Sequence, residues 1–182
     1  MALELQSPLG LIAGNGSFPI EFARQAKKKG FEVIAVAHSG ETDPELEKLV
    51  SRCVWVKVGE LGKVLDTLSS GGVRQAAFAG GISRVKLFGG VKLDLRGIAL
   101  ISRIGSVKDD ALLRGVASEI EKLGITVIPA GVLLDQVTLG AGCLTRRSLT
   151  AAEAADARIG WQACRAIGAI DVGQTIIVSQ GL

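Results

Sequence analysis

Apolar positions along the chain fall into two alternating rhythms, short continuous runs and stretches with helical spacing. Leu9–Ala13 is a five-residue apolar run that ends in Gly14-Asn15-Gly16-Ser17, after which Pro19 opens a helical pattern carried by Ile20, Ala23 and Ala26 until Gly30. Proline suits a first helical turn, where its missing N–H is not needed. Phe31–Ala37 is apolar and rich in β-branched residues, as a strand covered on both faces should be. Pro44–Val50 predicts a short helix, Cys53–Val58 a third strand, Leu61–Leu68 a helix halted by Gly71-Gly72, and Gln75–Ala79 a fourth strand before Gly80-Gly81. Asp109–Leu123 predicts the strongest helix, with Leu113, Val116, Ile120 and Leu123 on one face and Gly124 as its stop. Ile125–Ile128 reads as a fifth strand closed by Pro129.

Strands alternating with helices at this spacing predict an α/β fold, a doubly wound and mostly parallel Rossmann-like sheet over residues 1–130. Ligands in such sheets sit beyond the carboxyl ends of the strands, at a topological switch point. The loops to inspect are therefore Gly14–Ser17, His38–Asp43, Gly59–Gly62, Gly80–Arg84 and Ala130–Val132.

The rhythm then changes. Residues 131–150 contain glycine and lack a clear period, which predicts a linker. Thr150 and Glu153 form a Thr-x-x-Glu capping box for a helix reaching about Ile167 and stopped by Gly168. Gln174–Ser179 then reads as a strand. One helix and one strand cannot bury a core alone, so residues 151–182 are expected to be the start of an incomplete second domain, its strand loosely held or paired with a second copy in a homo-oligomer.

Composition narrows the class. With 48% apolar and 21% charged residues the chain is globular rather than disordered. Its 21 Lys and Arg exceed 18 Asp and Glu by only three, too small a bias to argue for a nucleic-acid partner. Apolar runs fall short of the roughly 18 residues of a spanning helix, and the N-terminus lacks a basic-then-apolar signal. Cys53, Cys143 and Cys164 are odd in number and widely spaced, which argues against a disulfide framework or zinc site and for a reducing cytoplasm. The mean hydropathy of +0.39 is high for a chain with no membrane span.

Four places carry candidate chemistry. Gly14-Asn15-Gly16-Ser17 lets backbone approach an anion at a helix start, but Pro19 stands where a dinucleotide fingerprint needs glycine, and His38 where it needs an acid. No Gly-Lys-Ser/Thr ending makes it a P-loop. It is either a ligand loop, with Asn15 and Ser17 as polar donors, or a tight turn. Gly80-Gly81-Ile82-Ser83-Arg84, on the same sheet edge, suits phosphate or a sugar hydroxyl, or is a turn with a solvated arginine. Lys108-Asp109-Asp110 opens the strongest helix; the aspartates either cap it, with Asp110 and Arg114 a surface ion pair, or one of them faces the cleft to hold a metal or sugar hydroxyl. The lone His38 is expected in a solvated loop. From Arg84 to Lys108 six basic residues meet one acid, Asp94, among large apolar side chains. Such a mixture suits an anionic bilayer surface or a phospholipid-like substrate, or is a core edge with a basic rim.

In order and spacing, Leu11-Ile12-Ala13-Gly14-Asn15-Gly16-Ser17-Phe18-Pro19, Phe78-Ala79-Gly80-Gly81-Ile82-Ser83-Arg84, Asp109-Asp110-Ala111-Leu112-Leu113-Arg114 and Asp171-Val172-Gly173-Gln174 resemble the LpxI family of UDP-2,3-diacylglucosamine diphosphatases. The resemblance implies a cytoplasmic hydrolase of lipid A biosynthesis, a branch of lipid metabolism, peripheral at the inner membrane. Such a pyrophosphatase cleaves UDP-2,3-diacylglucosamine to UMP and 2,3-diacylglucosamine 1-phosphate with magnesium. The residue reading makes Gly14, Asn15, Gly16, Ser17, Gly80, Gly81, Ser83, Arg84, Lys108, Asp109 and Asp110 the candidate substrate-binding residues, and the resemblance fits that reading. The family's essential aspartate is expected beyond Leu182, so this chain alone is expected to be inactive; Asp109, Asp110 and Asp135 are the carboxylates that turnover would implicate. The alternative is a non-catalytic module binding a nucleotide sugar or the lipid phosphate product.

Overall fold

Alternation decides how each strand is buried. In a computed structural model, β1 (Leu9–Ala13) and β2 (Val33–His38) are buried along their whole length, so both faces of the sheet are covered. The structure describes residues 4–83, 92–105, 109–134, 140, 142–170, 172–173 and 175–182, with only the backbone of Asp109 and Asp110. β3 (Arg52–Val56), β4 (Gln75–Ala79) and β5 (Thr126–Val127) complete a sheet in the order β3-β2-β1-β4-β5, parallel throughout. This is the doubly wound α/β arrangement the sequence predicts. The chain steps outward from β1 to β3 and returns to place β4 on the other side of β1, which puts the switch point between β1 and β4.

Leu9, Leu11, Ala13, Val33, Ala35 and Ala37 face one core, which α1 (Phe18–Lys28) closes with Ile20, Phe22, Ala23 and Ala26. Ile12, Ile34 and Val36 face the other, closed by α2 (Leu61–Ser70), α3 (Leu95–Ile104) and α4 (Asp109–Glu121). The Asp94 carboxylate accepts from Gly97 N at the start of its own helix, α3, and from Gly62 N at the start of α2, at 2.7 and 2.6 Å. One acid thereby satisfies orphan amides of two helices.

On α4 the buried stripe differs from the one expected. Ile120 is fully buried and Leu112 and Val116 pack beside it, whereas Leu113 and Leu123 are 52% and 44% exposed. Positions 112, 116 and 120 repeat at i, i+4 and i+8, so Val116 and Ile120 meet the sheet layer as expected and Leu112 takes the place of Leu113. Strand β5 is shorter than Ile125–Ile128 because only Thr126 and Val127 pair with β4. Past it, a 3-10 turn, Ala130–Leu133, places Leu133 and Leu134 in the core.

Two compact units divide at Thr138 and Leu139. The second contains α5 (Ala151–Ala169), which opens with both bonds of the capping box between Thr150 and Glu153 and runs one residue past Gly168. The Arg147 guanidinium, and then the Thr150 amide and hydroxyl, hold the Glu153 carboxyl down at about 2. The expected strand at Gln174–Ser179 is not formed over the described residues Thr175–Ser179, which have no ladder partner. A strand exists only through its neighbour's hydrogen bonds, and among the described residues of this unit no segment pairs with it. The segment's end is tied instead to α5, where the Asp156 carboxylate accepts from the amides of Gln180 and Gly181.

Candidate functional site

Parallel pairing in register sets the site. Ala13 pairs with Ala37 on one side and Ala79 on the other, so β1 and β4 end level, β2 one residue later, and all three release their loops at one edge. Gly14, Asn15, Gly16 and Ser17 follow β1; Gly80, Gly81 and Ser83 follow β4. The Gly14 amide donates to Ala79 O at 2.8 Å and the Asn15 amide to Gly81 O at 2.7 Å, which makes an antiparallel bridge between Asn15 and Gly81.

The two loops cross with no room for side chains. A Cβ on Gly14 would lie 2.1 Å from Gly81 O, and one on Gly80 would lie 2.2 Å from Asn15 O. Gly16 is different: its φ of +85° is open to glycine at little cost, and a Cβ there would meet nothing within 4 Å. Beyond it the Ser17 side chain makes no cap bond to α1.

Glu41, from the loop after β2, joins the other two loops. Its carboxylate accepts from Asn15 Nδ2 at 2.7 Å, from Ser83 Oγ at 2.8 Å and from the Ser83 amide at 3.2 Å. Three donors from two loops thus converge on one anionic group. Beneath them, Thr42 Oγ1 donates to Ala13 O at 2.7 Å and accepts from the His38 amide at 2.9 Å.

His38 is a correction. Instead of lying in a solvated loop it ends β2, is 8% exposed, and its Nδ1–H donates to Ala13 O at 2.9 Å. The strand extends one residue past Ala37 because the His38 backbone continues the ladder opposite Val56. Burial lowers the imidazole pKa from its ordinary 6.5, against the opposing pull of the Ala13 carbonyl and the Glu41 charge.

Among the described residues, no three side chains of His, Cys, Asp or Glu gather in one place. Glu41 is the carboxylate at the strand ends, and it is already bonded to Asn15 and Ser83. Arg84, Lys108 and Asp135 lie outside the described residues, while Asp109 and Asp110 start α4 with only their backbone described.

A cleft of about 690 Å³ opens beside the crossed glycine loops. Gly16, Glu41 and Thr42 border it on the β1 side, and Ser39, Gly40, Asp43, Pro44 and Trp55 form the rest of its wall. Sequence reasoning singled out neither Glu41 nor Trp55, although the loop from His38 to Asp43 is among those a doubly wound sheet would use.

Comparison with known proteins bears on this arrangement. The LpxI N-terminal domain matches residues 8–137 and the LpxI C-terminal domain matches residues 140–182. The chain is 34% identical over 177 residues to the UDP-2,3-diacylglucosamine pyrophosphatase LpxI of Caulobacter vibrioides, covering 96% of this chain and 62% of that protein. It therefore spans less than two thirds of that relative's length. Among solved structures, gox2253 is similar with a TM-score of 0.42 at 12% identity, over 68% of this chain and 34% of that one. The biotin carboxylase domain of a thermophilic 2-oxoglutarate carboxylase, bound to bicarbonate, gives 0.41 at 16% identity, over 69% and 24%.

Proposed function

The chain belongs to the LpxI family, and from that premise we propose that it supplies the substrate-binding half of a UDP-2,3-diacylglucosamine pyrophosphatase of lipid A biosynthesis. The observation that carries the reading is the crossing of the Gly14–Ser17 and Gly80–Ser83 loops at the switch point, with Asn15 and Ser83 locked to Glu41. Gly16 leaves room for a ligand to approach the backbone, since a Cβ there would meet nothing within 4 Å, and the start of α1 favours negative charge. The pyrophosphate lies against the Gly16–Ser17 end of the first loop, where the Ser17 hydroxyl makes no cap bond to α1 and orients it, while Asn15 and Ser83 hold the loops in place through Glu41.

Hydrolysis is a separate requirement. A pyrophosphate resists water because its charge repels nucleophiles, so cleavage needs a positioned water and neutralised charge. The magnesium of the family would supply that neutralisation; among the described residues no three metal-ligating side chains gather, so substrate phosphates and water would have to complete its shell. The 182-residue chain alone binds substrate without releasing UMP and 2,3-diacylglucosamine 1-phosphate, and activity needs the remaining length found in the relative.

The place of work is the cytoplasmic face of the inner membrane. No helix among the described residues is long and apolar enough to cross a membrane. In the described part of the basic and apolar stretch, Leu95 and Ile98 on α3 are 86% and 49% exposed, while Arg96 and Arg103 on the same helix pair with Asp66 and Glu119. The exposed apolar side chains suit the interface of a bilayer.

Calorimetric titration of UDP into the chain tests the reading. Saturable binding supports it, and no binding at millimolar UDP contradicts it.

A further inference from the structure

We propose that the outer face of α5, where Arg158 and Arg165 flank Trp161, rests on an anionic bilayer surface. The contact rests on the reading that the chain works at the inner membrane, and it lies in the second unit.

The chain itself covers the opposite face of the helix. A Cβ on Gly160 would lie 3.4 Å from Val178 and 3.8 Å from Ile176, and one on Gly173 would lie 3.5 Å from Ile167. The Asp156 carboxylate accepts from the Gln180 and Gly181 amides, so the residues after α5 lie back along that side. Both acids of the helix are engaged, Asp156 by those amides and Glu153 by Arg147 and the Thr150 amide.

What remains is a face without an acid. Arg158, Trp161, Gln162 and Arg165 follow one another at i, i+3, i+4 and i+7, which places them on one stripe opposite Asp156 and Gly160. All four are exposed, Trp161 by 68%. Arg24, Arg96, Arg103 and Arg147 each meet a carboxylate, whereas Arg158 and Arg165 have no ion-pair partner among the described residues.

An indole joins an apolar body to one N–H donor, so tryptophan gathers where hydrocarbon meets lipid headgroups. A guanidinium on each side attracts anionic headgroups, while its stem lies along the apolar boundary. Ile159, at the edge of the stripe, is 42% exposed and adds apolar area. A nucleic acid would find neither a long basic track nor a row of stacking rings, since this face has one indole and the chain a net charge of +3.

Cosedimentation with phosphatidylglycerol vesicles, beside neutral phosphatidylcholine vesicles, tests the contact. The chain should bind the anionic vesicles, release them as salt rises, and ignore the neutral ones. Arg158→Gln combined with Arg165→Gln should weaken binding about tenfold or more. Trp161→Ala should also weaken it, and Trp161→Phe should retain most of it. These side chains are exposed, so thermal midpoints should not move. With Trp55→Phe leaving Trp161 as the one indole, emission should shift to the blue on anionic vesicles. Anionic-vesicle binding that survives either the arginine pair of substitutions or Trp161→Ala overturns this contact while the inner-membrane reading stands. No binding to anionic vesicles overturns both. A dimer that Trp161→Ala disperses would assign the face to a second copy, and RNA binding lost with the arginines would assign it to a nucleic acid; either result overturns the bilayer contact.

Discussion

Asn15 and Glu41 stand 26 positions apart in the chain and meet at 2.7 Å, the amide of one loop donating to the carboxylate of another. Because the same carboxylate also takes the Ser83 hydroxyl and amide, it fixes the distance between the glycine loops. Glu41→Ala removes the acceptor for all three donors. Hydrogen bonds to a charged group contribute about 1.5 to 3 kcal/mol when buried, and this one is partly exposed, so a stability loss of about 1 to 2 kcal/mol is expected. UDP affinity should fall about tenfold, and Glu41→Gln should recover part of both. Urea midpoints with calorimetry on the three proteins check this.

The two glycines of the first loop should separate folding from binding. Gly14→Ala drives a Cβ into Gly81 O, and backbone cannot move aside cheaply, so this variant should lose about 3 kcal/mol or more, or fail to accumulate. At Gly16 an added Cβ meets nothing, but it must be held at a φ of +85° and it projects into the cleft. Gly16→Ala should cost about 1 kcal/mol of stability while UDP binding drops about tenfold. Equal stability losses at the two positions would contradict the crossing geometry.

His38 gives the fold a pH dependence whose sign follows from its burial. Its folded pKa lies below the ordinary 6.5, so as pH falls the unfolded chain takes up the proton first. Stability should therefore be constant above about pH 7 and decline between pH 6.5 and 5. It is the chain's one histidine, so this window is largely its own. His38→Asn keeps an N–H for the Ala13 carbonyl without a titrating ring, and thermal midpoints of this variant should be flatter between pH 7 and 5.

Much of the fold was legible because strands buried on both faces read as continuous apolar runs. Gln75–Ala79 forms β4 with the bounds the sequence predicts, and the alternation of elements gives the parallel sheet. What failed were inferences that need a partner. Of the row Leu113, Val116, Ile120 and Leu123, Val116 and Ile120 pack on the sheet layer, but Leu112 joins them in place of Leu113 and Leu123, and spacing alone does not choose between adjacent positions. Residues 174–179 have the composition of a strand, and composition supplies no neighbour. The glycine loops could be located at strand ends. Glu41 could not be tied to Asn15 and Ser83, because that contact exists only once β2 lies beside β1 and β4 on its other side. Trp55 lies inside the predicted third strand, and only the packing of β3 beside β2 puts it at the cleft.

The most direct test of a binding half is phosphorus NMR of UDP-2,3-diacylglucosamine with the 182-residue chain and magnesium, beside the chain extended to the full length of its relative. For the chain alone, the account predicts that both pyrophosphate resonances shift or broaden on binding, that Gly16→Ala abolishes the change, and that no UMP resonance grows in. The extended chain should convert the same substrate to UMP and 2,3-diacylglucosamine 1-phosphate. Pyrophosphate resonances unmoved by the short chain, or UMP released by it at a rate matching the extended chain, would contradict the account.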